Sequence, residues 1–105
     1  MTFLYHITPR ELALAARESG QYVPTNFARE GFIHCSYRHQ LDWVVQTHFR
    51  GQEGLVVLEI NRDMLHTPVI DENLEGGETL FPHVYGPLPW TAVCSMVDLV
   101  VVGPG

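Results

Sequence analysis

Lysine is absent from this 105-residue chain, and positive charge of any kind is scarce. Without a lysine, the chain has no side-chain amine for Schiff-base catalysis. Six scattered arginines stand against twelve acidic residues, which gives a formal net charge of −6. Nucleic-acid binding depends on clustered positive charge that neutralises phosphates. We therefore expect a small-molecule or nucleotide ligand and no nucleic acid as the partner.

Long apolar segments are also lacking. The opening residues, MTFLYHITPRE, show no basic leader followed by an apolar run, and no later segment is long enough to span a membrane. A Gly-rich phosphate loop is missing as well, which excludes Rossmann and P-loop nucleotide sites. These absences and the chain length predict one cytoplasmic domain over residues 1–105 without a membrane partner.

Cysteine occurs only twice, at Cys35 and Cys94. Each lies in an apolar run, so we expect two buried, reduced thiols, while a disulfide between them stays open. Neighbouring side chains of a regular strand point to opposite faces. In a strand over GFIHCS, Cys35 therefore points away from His34, which excludes a nucleophile and base pair formed by these two residues.

The order of strand and helix patterns predicts an α+β domain. TFLYHIT favours a strand that ends at Thr8. PRELALAARES then favours a helix, with Thr8 as its cap and with Leu12, Ala15 and Ala16 on its inward face. FIHCS favours a second strand, after which Ser36 is placed to cap a second helix in YRHQLDWVVQTHFRG.

The second half of the chain has the pattern of a sheet. EGLVVLEI is a nearly continuous apolar run, which predicts a strand at the centre of a sheet. LFPHVYGPL contains Pro82 and Pro87, which favour an edge strand or an irregular extended segment. A helical turn over residues 89–92 and a last strand in AVCSMVDLVVV complete the prediction.

Strand periodicity sorts the histidines into those on shared faces and those elsewhere. Three pairs of polar residues each share a strand face: His6 with Thr8, His34 with Ser36, and His83 with Tyr85. Buried polar groups are unfavourable unless they are satisfied, and several of them in apolar strands are typical of a binding cleft. His39, His48 and His66 lie in helix or loop contexts, so we expect them to be solvated.

The motifs YHITP, GFIHCS and LFPHVYGPL occur in this order over nearly the whole chain. With them the chain resembles a family of small bacterial proteins of unknown function, DUF952. That family is grouped by fold with the ADP-ribosyltransferases, which bind NAD in a cleft between two small sheets. The resemblance implies an ADP-ribosyltransferase-like α+β fold with two small mixed or antiparallel sheets, two early helices, and NAD as the cofactor.

The resemblance also implies roles for residues of the first two motifs. His6 and Thr8 are similar to the first-strand histidine and threonine that hold NAD in transferases of the tRNA 2′-phosphotransferase and poly-ADP-ribosyl type. His34 is similar to a strand histidine of the phosphotransferases. Ser36 lies where related enzymes carry a ligand-facing serine or tyrosine. His6 and His34 are thus candidate catalytic residues as well as cofactor ligands.

The third motif supplies His83 and Tyr85 as further cofactor-binding candidates. Many ADP-ribosyltransferases also use a late-strand glutamate that polarises the nicotinamide bond. Glu78 is the nearest candidate for that catalytic residue, and Glu75 is the second choice. Among the arginines, Arg29 or Arg38 is suited to bind a phosphate through two hydrogen bonds.

Three classes of function remain open from the sequence. The first is an NAD-dependent glycosyl or phosphoryl transferase with His6, His34 and Glu78 in catalysis and an unknown acceptor. The second is a binding module for a nucleotide or another small ligand that performs no chemistry. The third is a metal site with three or four ligands, formed by His6, His34 and His83 either alone or together with Glu78.

Overall fold

The computed structural model describes residues 2–74 and 76–99. Eight strands and three α-helices occur in this part of the chain. The strands are β1 Phe3–Pro9, β2 Gln21–Tyr22, β3 Ile33–His34, β4 Leu55–Asn61, β5 Val69–Glu72, β6 Phe81–Val84, β7 Leu88–Pro89 and β8 Val93–Leu99; the helices are α1 Arg10–Ser19, α2 Phe27–Glu30 and α3 Leu41–His48. Short 3₁₀ turns occupy Arg38–Gln40, Arg62–Met64 and Trp90–Ala92.

The described strands form three antiparallel sheets. One sheet has the order β1-β4-β8, a second consists of β2 and β7, and the third has the order β3-β6-β5. The predicted α+β class is confirmed, and the two predicted early helices correspond to α1 and α3, with the short unpredicted helix α2 between them. The expectation of two sheets is wrong, because the two-residue strands β2 and β7 form a separate pair.

Strand β4 lies at the centre of its sheet, as its apolar run predicted. Val56, Leu58 and Ile60 alternate along the strand and are fully buried in the main core. Leu55 faces the other way and packs with Ile7 in a second, smaller core. Burial of each such aliphatic side chain stabilises the fold by roughly 1.5–3 kcal/mol.

Helix α1 follows β1 without a loop and ends at Gly20. Gly20 adopts a left-handed conformation with φ 88°, and its N–H donates to the Ala16 carbonyl at 2.8 Å. The buried helix residues are Ala13 and Ala16, whereas Ala15 is exposed, so its predicted inward position is wrong. Within the described residues, no helix is both long enough and apolar enough to cross a membrane.

The segment after β3 runs beside β1 instead of starting a helix at once. The backbone groups of Ser36 and Tyr5 exchange two hydrogen bonds of 2.8 Å. Tyr37 takes the N-cap position of the 3₁₀ turn that precedes α3. The predicted capping role of Ser36 is therefore wrong, since its backbone is used to join β1.

Strand β6 is the central strand of its sheet, so the edge position predicted from Pro82 is wrong. The Pro82 carbonyl accepts a hydrogen bond from the Cys35 N–H at 3.0 Å. The N–H and C=O of one strand residue point to the same neighbour. Pro82 therefore lies opposite Cys35, just past the end of β3. The hydrogen bonds between β3 and β6 do not need the N–H that proline lacks at this position.

The two cysteines have different environments. Cys35 is buried in the main core beside Ile33, as strand periodicity predicted, and its thiol is free. Cys94 is also a free thiol but is exposed on β8, so its predicted burial is wrong. Because β8 lies at the edge of its sheet, the apolar run around Cys94 is only partly covered.

Candidate functional site

A cavity of about 790 Å³, called the cleft below, opens among β1, β3, β6 and α3. Its volume is in the range of small-molecule sites. The described lining includes one arginine and four histidines: Arg29, His6, His34, His48 and His83. It includes no aspartate or glutamate among the described residues, although the chain as a whole carries twelve. The cleft is therefore far less acidic than the rest of the molecule.

Most of the predicted site residues meet at this cleft. His6, Thr8, His34, Ser36 and His83 all line it. Tyr85 is outside the lining, with its hydroxyl donating to Glu72 at 2.6 and 2.8 Å and its ring stacked on Phe32 at 5.5 Å. Glu78 is exposed in the segment between β5 and β6 and does not line the cleft. Glu75 lies outside the described residues.

The His6 imidazole is held at both ring nitrogens. Its Nδ1 lies 2.6 Å from the His34 carbonyl oxygen, and its Nε2 lies 2.8 Å from the Tyr22 hydroxyl. Burial lowers the pKa of His6 to about 4, so the ring is neutral at pH 7. Because a carbonyl can only accept, the single ring proton is on Nδ1, and Nε2 accepts from Tyr22.

Tyr22 extends this arrangement to Thr8. The two hydroxyl oxygens are 2.8 Å apart, and with its own proton directed to His6, the Tyr22 oxygen accepts from Thr8. Burial raises the pKa of Tyr22 to about 12, so the phenol stays protonated. The Thr8 side chain makes no capping hydrogen bond to α1, so its predicted capping role is wrong. Tyr22 was missed because a lone tyrosine between Gly20 and Pro24 carries no periodic signal.

Three sheets meet at the His6 ring. His6 belongs to β1, the His34 carbonyl to β3 and Tyr22 to β2. The imidazole therefore positions the wall of the cleft, and its own nitrogens are occupied by protein groups. Direct contact of His6 or Thr8 with NAD stays a prediction.

His34 presents its imidazole at the wall, with 45% of its side chain exposed. Its Nε2 lies 2.8 Å from Oε2 of Glu30 at the end of α2. A carboxylate that orients a histidine is a common arrangement for general bases. In the described structure, no hydrogen bond joins Ser36 to His34, although both line the cleft. Glu30 was missed because its contact depends on the turn between α2 and β3.

His83 lies directly opposite His34 in the β3–β6 register, with the ring centroids 5.2 Å apart. Its side chain is buried, and its Nδ1 has no hydrogen-bond partner among the described residues. Burial, with a smaller effect of the neighbouring His34, lowers the pKa of His83. Phe32 contacts both imidazoles edge to face, at 4.8 and 5.0 Å. The two imidazoles and Phe32 thus form one packed aromatic part of the cleft wall.

The geometry does not favour the metal alternative. Both nitrogens of His6 are hydrogen-bonded, which leaves it no free lone pair for a metal ion. Over residues 2–74 and 76–99, no group of three or more His, Cys, Asp or Glu side chains is close enough to hold one.

The two arginines predicted as phosphate ligands occupy different places. Arg29, at the end of α2, is exposed and lines the cleft together with Thr25 and Asn26. Arg38 lies in the 3₁₀ turn before α3. Burial raises the pKa of the Tyr5 phenol, and the nearby Arg38 opposes this rise in part. Only Arg29 is placed to meet a ligand in the cleft.

An aromatic group forms another part of the lining. The rings of Trp43 and Phe81 are stacked, with centroids 5.8 Å apart and an interplanar angle of 28°. His48 meets Trp43 edge to face at 5.8 Å. Trp43 is 53% exposed. His48 is exposed, as expected from the sequence, but it also lines the cleft.

Comparisons with known proteins cover most of this fold. A family model described as "Protein of unknown function (DUF952)" matches residues 7–96. The crystal structure of protein CC0527 from Caulobacter crescentus is similar, with 33% identity, a TM-score of 0.82, and coverage of 94% of this chain and 87% of that chain. The solution NMR structure of CC0527 gives 34% identity, a TM-score of 0.80, and coverage of 94% and 85%. No curated protein matches the chain.

Proposed function

Since the chain belongs to the DUF952 family, whose function is unknown, we propose from the cleft itself that the protein binds a small phosphate-bearing ligand of the nucleotide class. NAD is the ligand that the family resemblance implies. One observation carries this proposal: the described lining combines Arg29 with four histidines and excludes carboxylates. Arg29 carries the formal positive charge of this described lining, and that charge attracts an anion within a chain whose net charge otherwise repels it.

The donors near Arg29 fit a phosphate group. A guanidinium offers parallel N–H donors that match two phosphate oxygens. Glu30 is next in the chain, but both of its oxygens are used, one by Asn26 and one by His34. The Glu30 carboxylate is thus hydrogen-bonded to Asn26 and His34, and the described structure shows no ion pair between Glu30 and Arg29.

The proposal includes the ADP-ribosyltransferase-like architecture that the motifs imply. Support comes from the position of the cleft among small antiparallel sheets that meet at His6. Comparison of the described strand order with solved ADP-ribosyltransferases, by superposition on their NAD clefts, tests this part. Overlap of β1, β3 and β6 with strands that contact NAD is the expected result.

We expect Arg29→Gln to weaken binding of NAD and ADP-ribose by about 10- to 150-fold, because a hydrogen bond to a charged group contributes roughly 1.5–3 kcal/mol. Isothermal titration calorimetry measures the Kd. Arg50→Gln is the matched control, since Arg50 is exposed and outside the lining. An equal loss of affinity in both variants would mean that overall charge attracts the ligand, against a specific site at Arg29.

A second candidate is transfer of the ADP-ribosyl group to an unidentified acceptor. The observation that favours it is the hydrogen bond between Glu30 and His34 at the cleft wall. In this reaction the bond between nicotinamide and ribose breaks, nicotinamide leaves with the bonding electron pair, and an acceptor oxygen bonds to the ribose carbon. His34 takes the proton of that oxygen. Positioning and electrostatics supply the rest of the barrier reduction.

Release of nicotinamide from NAD, followed by NMR, tests the transferase candidate with water as the acceptor. His34→Asn should lower the rate by about 10²- to 10⁴-fold, the usual contribution of a general base. Glu78→Gln tests the carboxylate predicted from the sequence, and His39→Asn is the control outside the cleft. If wild-type protein binds NAD and releases no nicotinamide, the binding function stands without the transferase.

A further inference from the structure

We propose that Trp43 and Phe81 form a subsite that stacks the planar base of the ligand, so that the cleft recognises a nucleotide at two places. This inference rests on the proposed function and extends it from phosphate to base. The phosphate would lie near Arg29, and the heteroaromatic ring would stack on the exposed part of the Trp43 indole. Both residues line the same cleft.

The indole of Trp43 contacts two neighbouring rings and is still about half exposed. Phe81 stacks on one side at 5.8 Å, and His48 contacts the ring edge-on. Trp43 nevertheless remains 53% exposed, so part of its side chain is accessible to a ligand. Stacking of a base on an aromatic side chain contributes about 1–3 kcal/mol and needs only an accessible ring face.

The stack is fixed in place by a buried amide. Gln40 is 8% exposed, and its Oε1 accepts from the Tyr37 N–H at 2.9 Å while its Nε2 donates to the Leu80 carbonyl at 2.8 Å. Gln40 precedes the first turn of α3, which carries Trp43, and Leu80 directly precedes Phe81. The two rings are therefore held together from both sides before any ligand arrives, which reduces the entropy lost on binding.

The subsite formed by Trp43 and Phe81 is next to His83, because Phe81 and His83 lie on the same strand, β6. Phe81 and His83 alternate with Pro82 on β6, so their side chains share a face about 7 Å apart. A ligand with a ring on Trp43 would thus place its ribose near His83 and His34.

The exposed apolar side chains around the stack also suit a protein partner. Leu74 and Leu80 are 49% and 53% exposed. Trp43, Phe81 and Leu74 nevertheless belong to the lining of a concave cleft that also contains Arg29, and such a mixed surface fits a small amphipathic ligand better than a flat protein surface. Self-association is accordingly a contrary outcome of the test.

The test compares AMP with ribose 5-phosphate, which lacks the base. The chain has two tryptophans, so Trp90→Phe leaves Trp43 as the single fluorescence reporter. AMP should change the Trp43 emission, whereas ribose 5-phosphate should bind in calorimetry without that change. In the otherwise unaltered chain, Trp43→Ala should weaken AMP binding about 5- to 150-fold and leave the Kd of ribose 5-phosphate unchanged.

The outcomes separate the two proposals. If wild-type protein binds neither compound, the proposed function fails and the subsite fails with it. If both compounds bind and Trp43→Ala weakens them equally or not at all, only the subsite is overturned. If the Trp43 emission changes with protein concentration and sedimentation shows a dimer, Trp43 and Phe81 contact a second copy of the chain. This result would also overturn the subsite.

Discussion

Acidification should lower the free energy of unfolding by about 3 kcal/mol through His6 alone. The folded-state pKa of His6 is lowered from 6.5 to about 4 by burial. Below pH 6.5 the His6 imidazole therefore binds a proton in the unfolded chain but stays mainly neutral in the folded protein until the pH approaches 4. Above pH 6.5 the full contribution of neutral His6 to the free energy of unfolding is present. This contribution falls by at most about 1.4 kcal/mol per pH unit as the pH drops toward 4.

Urea denaturation at a series of pH values between 7.5 and 4 measures this effect. The His6→Gln variant should be less stable than wild type at neutral pH but should show a smaller decline with acid. His66→Gln is the control, because His66 is exposed in a loop. His83, whose pKa burial also lowers, adds to the decline in the same direction. Equal slopes for wild type and His6→Gln would contradict the prediction.

Gly86→Ala should destabilise the fold by about 3 kcal/mol, a typical effect of overpacking at a site that cannot relax. A Cβ at this buried position would lie 2.3 Å from Thr67 Cγ2 and 2.8 Å from Thr67 Cβ. The adjacent backbones are joined, since the Tyr85 N–H donates to the Pro68 carbonyl at 2.9 Å. Neither segment can therefore move away without loss of that hydrogen bond.

A double-mutant cycle in thermal or urea unfolding identifies the clash. Thr67→Gly removes all three side-chain atoms that the new Cβ would meet. In the Thr67→Gly background, Gly86→Ala should lose most of its destabilising effect, with a coupling energy above about 1 kcal/mol. Additive losses would show that Gly86 matters for its backbone conformation rather than for its contact with Thr67.

The parts of the fold with strong local patterns were predictable from the sequence. The apolar run of β4 gave its central position, and the turn at Trp90–Ala92 follows the predicted helical turn. Strands β2 and β7 have two residues each, too few for any periodicity. The central position of β6 was hidden by Pro82, because a sequence does not show which neighbour its missing N–H would face.

The sequence predicted which side chains share a face of one strand, but it did not predict the contacts between side chains on different strands. Alternation placed His34 and Ser36 at the cleft and Cys35 in the core, but Cys35 also belongs to the lining, so the predicted separation of the two faces holds only in part. The contact of His34 with His83 depends on the register between β3 and β6, and a single sequence carries no signal for that register. Trp43 was assigned to neither face of its helix, because its position at the cleft depends on how α3 packs beside β6.

The pairing of β1 with β4 has a consequence for how the protein folds. Residues 3–9 pair with residues 55–61, so apart from the bridge at Ser36 the ladder of the first strand cannot form until more than half of the chain has been synthesised. Contacts that join such distant segments carry a large loop-closure entropy and typically give folding times of milliseconds to seconds. The cleft wall at His6 is therefore assembled late, and a fragment that ends before β4 should have no binding competence on the ribosome.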